Sequence, residues 1–405
     1  MQKLYGISRR LYDFNGDEII FSKGSGAYVY DTNQKKYIDM ILGYGPMILG
    51  HNNIKFTKKI TEVMNQGFMF PSYNKIQMEL AEQINNYYDN YQLISIYQSG
   101  SDALDAVFRI CKYITKKERY IRFGYIGWHD NLLYGGINWH EPINSAKFSK
   151  VANNLPEDKK IALNWTGDGV NSFEALCRNN DIACFIFDAY QLERWPNLKI
   201  KEVIDTCRKN NILVVLDETK TSGRVSKFGY YKDKYKFDFT ILGKAIGNGY
   251  PVSLLIGSHS ILDTPFDTFK IAGTYARDGL SCGAVLATKQ IMYEEHFYDV
   301  IGEVGQKIAK MMNNSINSIL NSNDIYVNSM LNGAILEFNY SDELANDYNK
   351  RKELASSLLH NGIIIPDGHC FYICSEHAHC INEIESRFCN ALLDFSKKTI
   401  KGFCN

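Results

Sequence analysis

The sequence predicts an α/β fold: a large domain on a mostly parallel central sheet, with a smaller α+β domain. Three features predict it. Two continuous apolar runs, 182–187 and 212–216, end in Asp188 and Asp217, with a helical pattern at 203–209 between them. A third run, 237–242, leads to Lys244. Continuous apolar runs separated by helical patterns imply strands covered on both faces, as parallel sheets are. The last third differs. A long helical pattern at 300–319 precedes short strand-like stretches, "GAIL" from Gly333 and "CFYI" from Cys370, and then a final helical pattern at about 382–397. That order fits a separate α+β domain.

Length and composition bound the rest. At 405 residues the chain is expected to form two domains, or one large domain with a lobe. Net charge is zero and the basic clusters are interrupted by acids and aromatics, so nothing resembles a nucleic-acid footprint. No apolar run approaches the roughly 20 residues of a membrane span, and the N-terminus lacks the apolar core of a signal peptide. The expectation is a cytoplasmic protein with no membrane or nucleic-acid partner. Ten scattered cysteines without a CxxC pair suit free thiols in a reducing compartment. His369, Cys370, Cys374, His377, His379 and Cys380 are metal-ligand types at close range, but their spacing matches no finger or ribbon. A strand and turn with incidental thiols is expected there, and no metal site.

Three positions carry chemistry. In "YQSGSDALDAVFRICKYI", 97–114, Ser99, Gly100 and Ser101 precede a helix with an apolar face at three-to-four spacing. Gly100 permits close approach of a ligand to the backbone, and a helix N-terminus favours an anion such as phosphate. Ser99 could equally serve as an N-cap. Asp217 stands at the end of a central strand, where a carboxylate suits a cation held in a crevice, although a capping or turn role fits too. Lys244 follows the next strand and precedes the turn "GNGYP". A desolvated lysine becomes a nucleophile toward carbonyls, while a snorkelling lysine is the plainer alternative. Together, an anion cradle, a strand-end acid and a strand-end lysine 27 positions later meet the three needs of pyridoxal phosphate.

On these residues the sequence resembles the class III pyridoxal-phosphate aminotransferases of fold type I, within them the glutamate-1-semialdehyde aminomutase-like branch. "GAYVYDTNQKKYIDMILGYGPMILGHNN" from Gly26 is similar to the family's opening motif, and "SGSDALDAVFRICK" to its phosphate cradle. "GYIGWHD" from Gly124, "LDETKTSGRV", "GKAIGNGYP", "GTYARDGLSCGAVLA" from Gly273 and "ICSEHAH" resemble later family segments, in order. The resemblance implies a large cofactor-binding domain at 57–289 and a small domain made of 1–56 with 290–405. It implies that Lys244 forms the Schiff base and then moves the proton, and that Asp217 pairs with the pyridinium. Ser99, Gly100 and Ser101 would bind the phosphate, Tyr125 would stack on one ring face, and Thr219 would pack on the other. Thr274 would reach the phosphate of a neighbouring subunit, making a homodimer with a shared active site.

The pattern also departs from the family. The usual Glu-Pro pair is replaced by Asp188-Ala189, which leaves Gln191 and Glu193 as candidates facing the cofactor's ring hydroxyl. Ile126 replaces the family's His. Arg9 or Arg10 could meet a substrate carboxylate or lie on the surface, and Arg224 has no assigned role. The expected activity is an aminotransferase taking a small-molecule amino donor and an aldehyde or ketone acceptor. An intramolecular aminomutase, a racemase or epimerase, and a catalytically silent scaffold are the alternatives. Donor and acceptor are not readable from the sequence.

Overall fold

In the computed structural model of the protein, residues 11–13, 16–129, 168–179, 181–194, 199–266 and 270–402 are described. The chain divides into two compact units, Lys58–Ile291 and Met1–Thr57 with Met292–Asn405.

The Lys58–Ile291 unit is built on a six-stranded sheet. Its strands, in spatial order, are Tyr91–Tyr97, Ser253–Ser258, Phe239–Gly243, Leu213–Glu218, Ile182–Asp188 and Arg119–Phe123. The last four pair in parallel. Ser253–Ser258 runs antiparallel to both of its neighbours, so Tyr91–Tyr97 points the same way as the other four. Five carboxyl ends therefore collect along one edge, and this edge carries every strand-end position singled out above.

Burial explains why the strands read as continuous apolar runs. Phe185, Phe187, Val214 and Leu216 pack with Phe173, Val203 and Cys207 on one face. Cys184, Ile186, Val215 and Ile241 pack with Leu104, Val107 and Cys111 of the Gly100–Thr115 helix on the other. Side chains two apart on a strand share a face. The helix Ile200–Lys209 presents Val203, Ile204 and Cys207 inward and places Arg208 and Lys209 in its last turn, where cations suit the dipole.

The other unit contains two small sheets. One joins Phe21–Ser25, Tyr28–Asp31 and Lys36–Asp39 in antiparallel order and adds Ile363–Ile364 in parallel. The second is antiparallel, with Ile325–Met330, Ile335–Tyr340 and Phe371–Tyr372. Helices Phe297–Leu320 and Ile381–Gly402 are each longer than the sequence pattern suggests. The strand expected to begin at Gly333 begins instead at Ile335. Asn332 and Gly333 adopt φ of 51° and 94°, left-handed values incompatible with extended backbone.

That left-handed turn lies against the Phe297–Leu320 helix. A Cβ on Gly305 would collide with the Gly333 carbonyl, and a Cβ on Gly333 would lie 2.5 Å from the Gly302 carbonyl oxygen. Backbone blocks the added atom in both cases, so neither clash is relieved by a rotamer change. Gly305→Ala is expected to cost about 1–3 kcal/mol by overpacking, seen as a lower midpoint in denaturant unfolding; an unchanged midpoint would show that helix and turn can separate at no cost.

Candidate active site

The site forms where the parallel strands of the Lys58–Ile291 unit end. Asp217 and Asp188 are register partners on adjacent parallel strands. Asp217 shares its face with Val215, and Asp188 shares its face with Ile186, the face packed by the Gly100–Thr115 helix. Glu218, one position on, turns to the opposite face. There it accepts hydrogen bonds from the backbone N–H groups of Tyr230 (2.7 Å) and Tyr231 (3.3 Å) and from the Thr221 hydroxyl (3.1 Å). The "DE" pair thus divides its work: Glu218 binds down the loop at 221–231, and Asp217 is presented at the sheet edge.

Asp217 is 5% exposed and accepts a hydrogen bond from the Thr219 N–H at 2.9 Å. Burial pushes its carboxyl up to about 6, and the Asp188 carboxylate adds to this; hydrogen bonding from Thr219 and the Lys244 ammonium act in the opposite direction. Glu218 is pushed up to about 7, chiefly by burial.

Lys244 directly follows the strand Phe239–Gly243, whose Ile241 is the register partner of Asp217. Its φ is 48°, a left-handed value costly for a side-chain-bearing residue and common at functional sites. The turn after it continues through Asn248 and Gly249, both at positive φ, before the chain enters Ser253–Ser258. Ser222 pins the approach: its Oγ accepts from the Gly243 N–H at 3.2 Å.

Ser99 caps the Gly100–Thr115 helix in a capping box. Its Oγ accepts from the Asp102 N–H at 3.3 Å, while its own N–H and hydroxyl donate to Asp102 Oδ2 at 3.0 and 2.7 Å. The capping alternative for Ser99 is therefore realised, with its hydroxyl proton engaged by Asp102. Ser101 is buried and accepts the Trp128 N–H at 3.1 Å. Gly100 lies so close to Thr219 that a Cβ there would sit 2.8 Å from Thr219 Oγ1, and a Cβ on Gly243 would sit 3.1 Å from Thr219 Cγ2. Thr219 Oγ1 is itself buried without a hydrogen-bond partner among the described residues. The helix N-terminus, the Asp217 loop and the Lys244 approach thus meet at one threonine.

Tyr125, half-buried, follows Gly124, whose φ is +80° and whose hypothetical Cβ would lie 2.8 Å from Asp188 Cβ and 2.9 Å from Gln191 Cγ. Gln191 is buried, and its Nε2 donates to Asp188 Oδ2 at 3.4 Å. Glu193 instead accepts the Tyr231 hydroxyl at 2.5 Å. Of the two candidates for the ring hydroxyl, Gln191 is the one beside Gly124 and Asp188. Thr274 begins a short 3-10 turn and is exposed. Fully buried Arg224 donates its Nε to the Lys220 carbonyl at 2.6 Å, bracing the loop that carries Thr219. Arg9 and Arg10 lie outside the described residues.

One further residue of this region has no local sequence signal. Lys220 donates from Nζ to Asp188 Oδ2 at 3.1 Å, with its ammonium 5.0 Å from the Tyr190 ring centroid and 5.7 Å from that of Tyr125. The pairing follows from strand register, which no local sequence signal reports.

Comparison with known proteins reports on family and fold. The family model described as aminotransferase class-III matches residues 12–383. A glutamate-1-semialdehyde 2,1-aminomutase from Sulfolobus acidocaldarius is 27% identical over 372 residues, covering 88% of this chain and 88% of that protein. Among solved structures, an omega-transaminase from Sphaerobacter thermophilus superposes with a TM-score of 0.80 at 17% identity, covering 96% of this chain and 94% of that one. A glutamate-1-semialdehyde aminomutase from Pseudomonas aeruginosa gives 0.74 at 16% identity, covering 94% and 88%.

Proposed function

The chain belongs to the class-III aminotransferase family, and from that membership we propose a pyridoxal 5′-phosphate enzyme that moves an amino group from a small-molecule donor to an aldehyde or ketone acceptor. The observation that carries the reading is the convergence at Thr219 of Gly100, Gly243 and the Asp217 loop. The residues present fit the cofactor: a buried acid, a lysine at the next strand end, an anion-favouring helix N-terminus and an orphaned buried hydroxyl between them.

When bound, pyridoxal phosphate supplies an electron sink that stabilises negative charge at a substrate carbon. The chain's own groups do the rest. The N–H groups of Gly100 and Ser101 bind the phosphate at the positive end of the helix. Asp217 would hold a proton on the ring nitrogen, and Lys244 would tether the cofactor and move a proton at the substrate's α-carbon. Tyr125 would cover one ring face, Thr219 would support the other, and Gln191 would serve the ring hydroxyl.

The assembly proposed is a homodimer in which Thr274 reaches the phosphate of the partner subunit. Met69, Phe70, Tyr73, Met78 and Tyr275 are exposed apolar or aromatic side chains of the Lys58–Ile291 unit. The Met69–Asp278 bridge and the Gln98–Tyr275 hydrogen bond hold Met69 and Tyr275 beside the Thr274 turn, which supports a second copy covering this surface. No helix among the described residues is long and apolar enough to cross a membrane. The nine described cysteines are free thiols, eight of them buried, which supports a cytoplasmic setting.

The test is optical and chemical. The purified protein is expected to be yellow, and borohydride is expected to fix the pyridoxyl group on the peptide containing Lys244. Amino donors should bleach the absorbance and release a keto product. A colourless protein that gives no adduct with added cofactor would refute the reading. The similarity to named aminomutases favours an intramolecular amino shift as the second reading, in which no keto product leaves the enzyme.

A further inference from the structure

We propose that Lys220 is a charge-balancing residue of the site: bound to Asp188, it lets Asp217 stay ionised beside a second buried carboxylate. This rests on the cofactor reading above and goes beyond it to a positioning role.

Two carboxylates are register partners on neighbouring strands and share one face of the sheet. Asp188 is 2% exposed and Asp217 is 5% exposed. Like charges this close and this dry disfavour ionisation of both. A site that must keep a ring nitrogen protonated needs one of them, Asp217, negative. The opposing charge comes from the residue three positions after Asp217.

The Lys220 side chain is 19% exposed, and its Nζ donates to Asp188 Oδ2 at 3.1 Å. Asp188 Oδ1 accepts from the Tyr190 N–H at 3.1 Å, and Gln191 approaches Oδ2 at 3.4 Å. Among the described residues, Lys220 is therefore the cation in contact with Asp188, alongside neutral donors. Its position is set at both ends. Arg224 clamps the Lys220 carbonyl, and the ammonium lies near the rings of Tyr190 and Tyr125. Such ring contacts favour a cation.

Among the described residues, the charged groups around Asp217 are these. Asp188 and Glu218 are the neighbouring acids, Glu218 on the opposite face; Lys244 is the cation at the next strand end. Lys244 cannot serve as a permanent counter-charge, because the proposed chemistry consumes its amine. Lys220 takes no part in that chemistry and keeps its contact with Asp188.

The experiment is an absorbance titration of pyridoxal phosphate into cofactor-free protein between pH 5 and 9, comparing wild type with K220M, K220R, D188N and the K220M/D188N pair. K220M should weaken cofactor affinity about tenfold near neutral pH and shift the midpoint of its pH dependence upward by about one unit. K220R should keep the wild-type profile. D188N alone, which leaves an extra positive charge, should shift the midpoint downward, and the double variant should return toward wild type.

A packing role for the lysine stem predicts otherwise: K220M and the double variant would be equally impaired, with no movement of the midpoint. That result, or an unchanged K220M profile, overturns the proposal. If wild type itself neither binds the cofactor nor gives a borohydride adduct, the enzyme reading fails instead, and this inference with it.

Discussion

Lys244→Ala is expected to lower turnover by at least about four orders of magnitude and to abolish the borohydride adduct. Two proposed roles are lost together, the covalent tether and the proton carrier, and positioned proton transfer alone is worth about 10²–10⁴. The fold should tolerate the change. Lys244 is only half-buried, and the strands on either side are held by Ser222 to Gly243 and Ser253 to Leu242 hydrogen bonds. Alanine keeps the same backbone preferences at φ of 48° and relieves no strain. The measurement is single-turnover kinetics at saturating cofactor with circular dichroism of the same sample. Undiminished turnover would remove the catalytic assignment of this residue.

Asp217→Asn is expected to move function and stability in opposite directions. Asparagine cannot hold a proton on the ring nitrogen, so turnover should fall by about 10²–10³. In cofactor-free protein the same change should stabilise. Burial holds the folded carboxyl at about 6, against about 4 for an aspartate in the unfolded chain. Between these values the folded protein keeps a proton that the unfolded chain has released. Stability therefore falls as pH rises through this window, and the penalty is absent below it. Relative to wild type, the variant should gain on the order of 2–3 kcal/mol between pH 4 and pH 7, read from urea unfolding at both. A difference independent of pH would show that Asp217 is ionised in the folded protein at pH 4.

The fold class was legible because buried strands betray themselves. The runs at 182–187 and 212–216 are apolar throughout, since helices cover both faces. Direction was not legible: nothing in "SLLIGS" distinguishes an antiparallel strand from a parallel one, and only pairing with Phe239–Gly243 and Tyr91–Tyr97 settles it. The strand Arg119–Phe123 escaped notice because arginines interrupt its apolar positions. Asp217 and Lys244 stood out because each ends an apolar run. Lys220 did not, because its meaning depends on a partner 32 positions away on another strand. Ser99 shows the reverse limit: the sequence allowed both a cap and a ligand contact, and the capping box with Asp102 takes up its hydroxyl.

The antiparallel strand Ser253–Ser258 has a consequence for how the protein assembles. Only nine residues separate Gly243 from its register partner Ser253, whereas the cradle at Ser99–Ser101 is joined to this region across more than a hundred positions. Contacts close in sequence close cheaply and early. Lys244, the proposed tether, thus lies in a hairpin, a local device, and the amides of that hairpin should resist hydrogen exchange in cofactor-free protein. The proposed cradle, joined at long range, is the part that ligand arrival should consolidate.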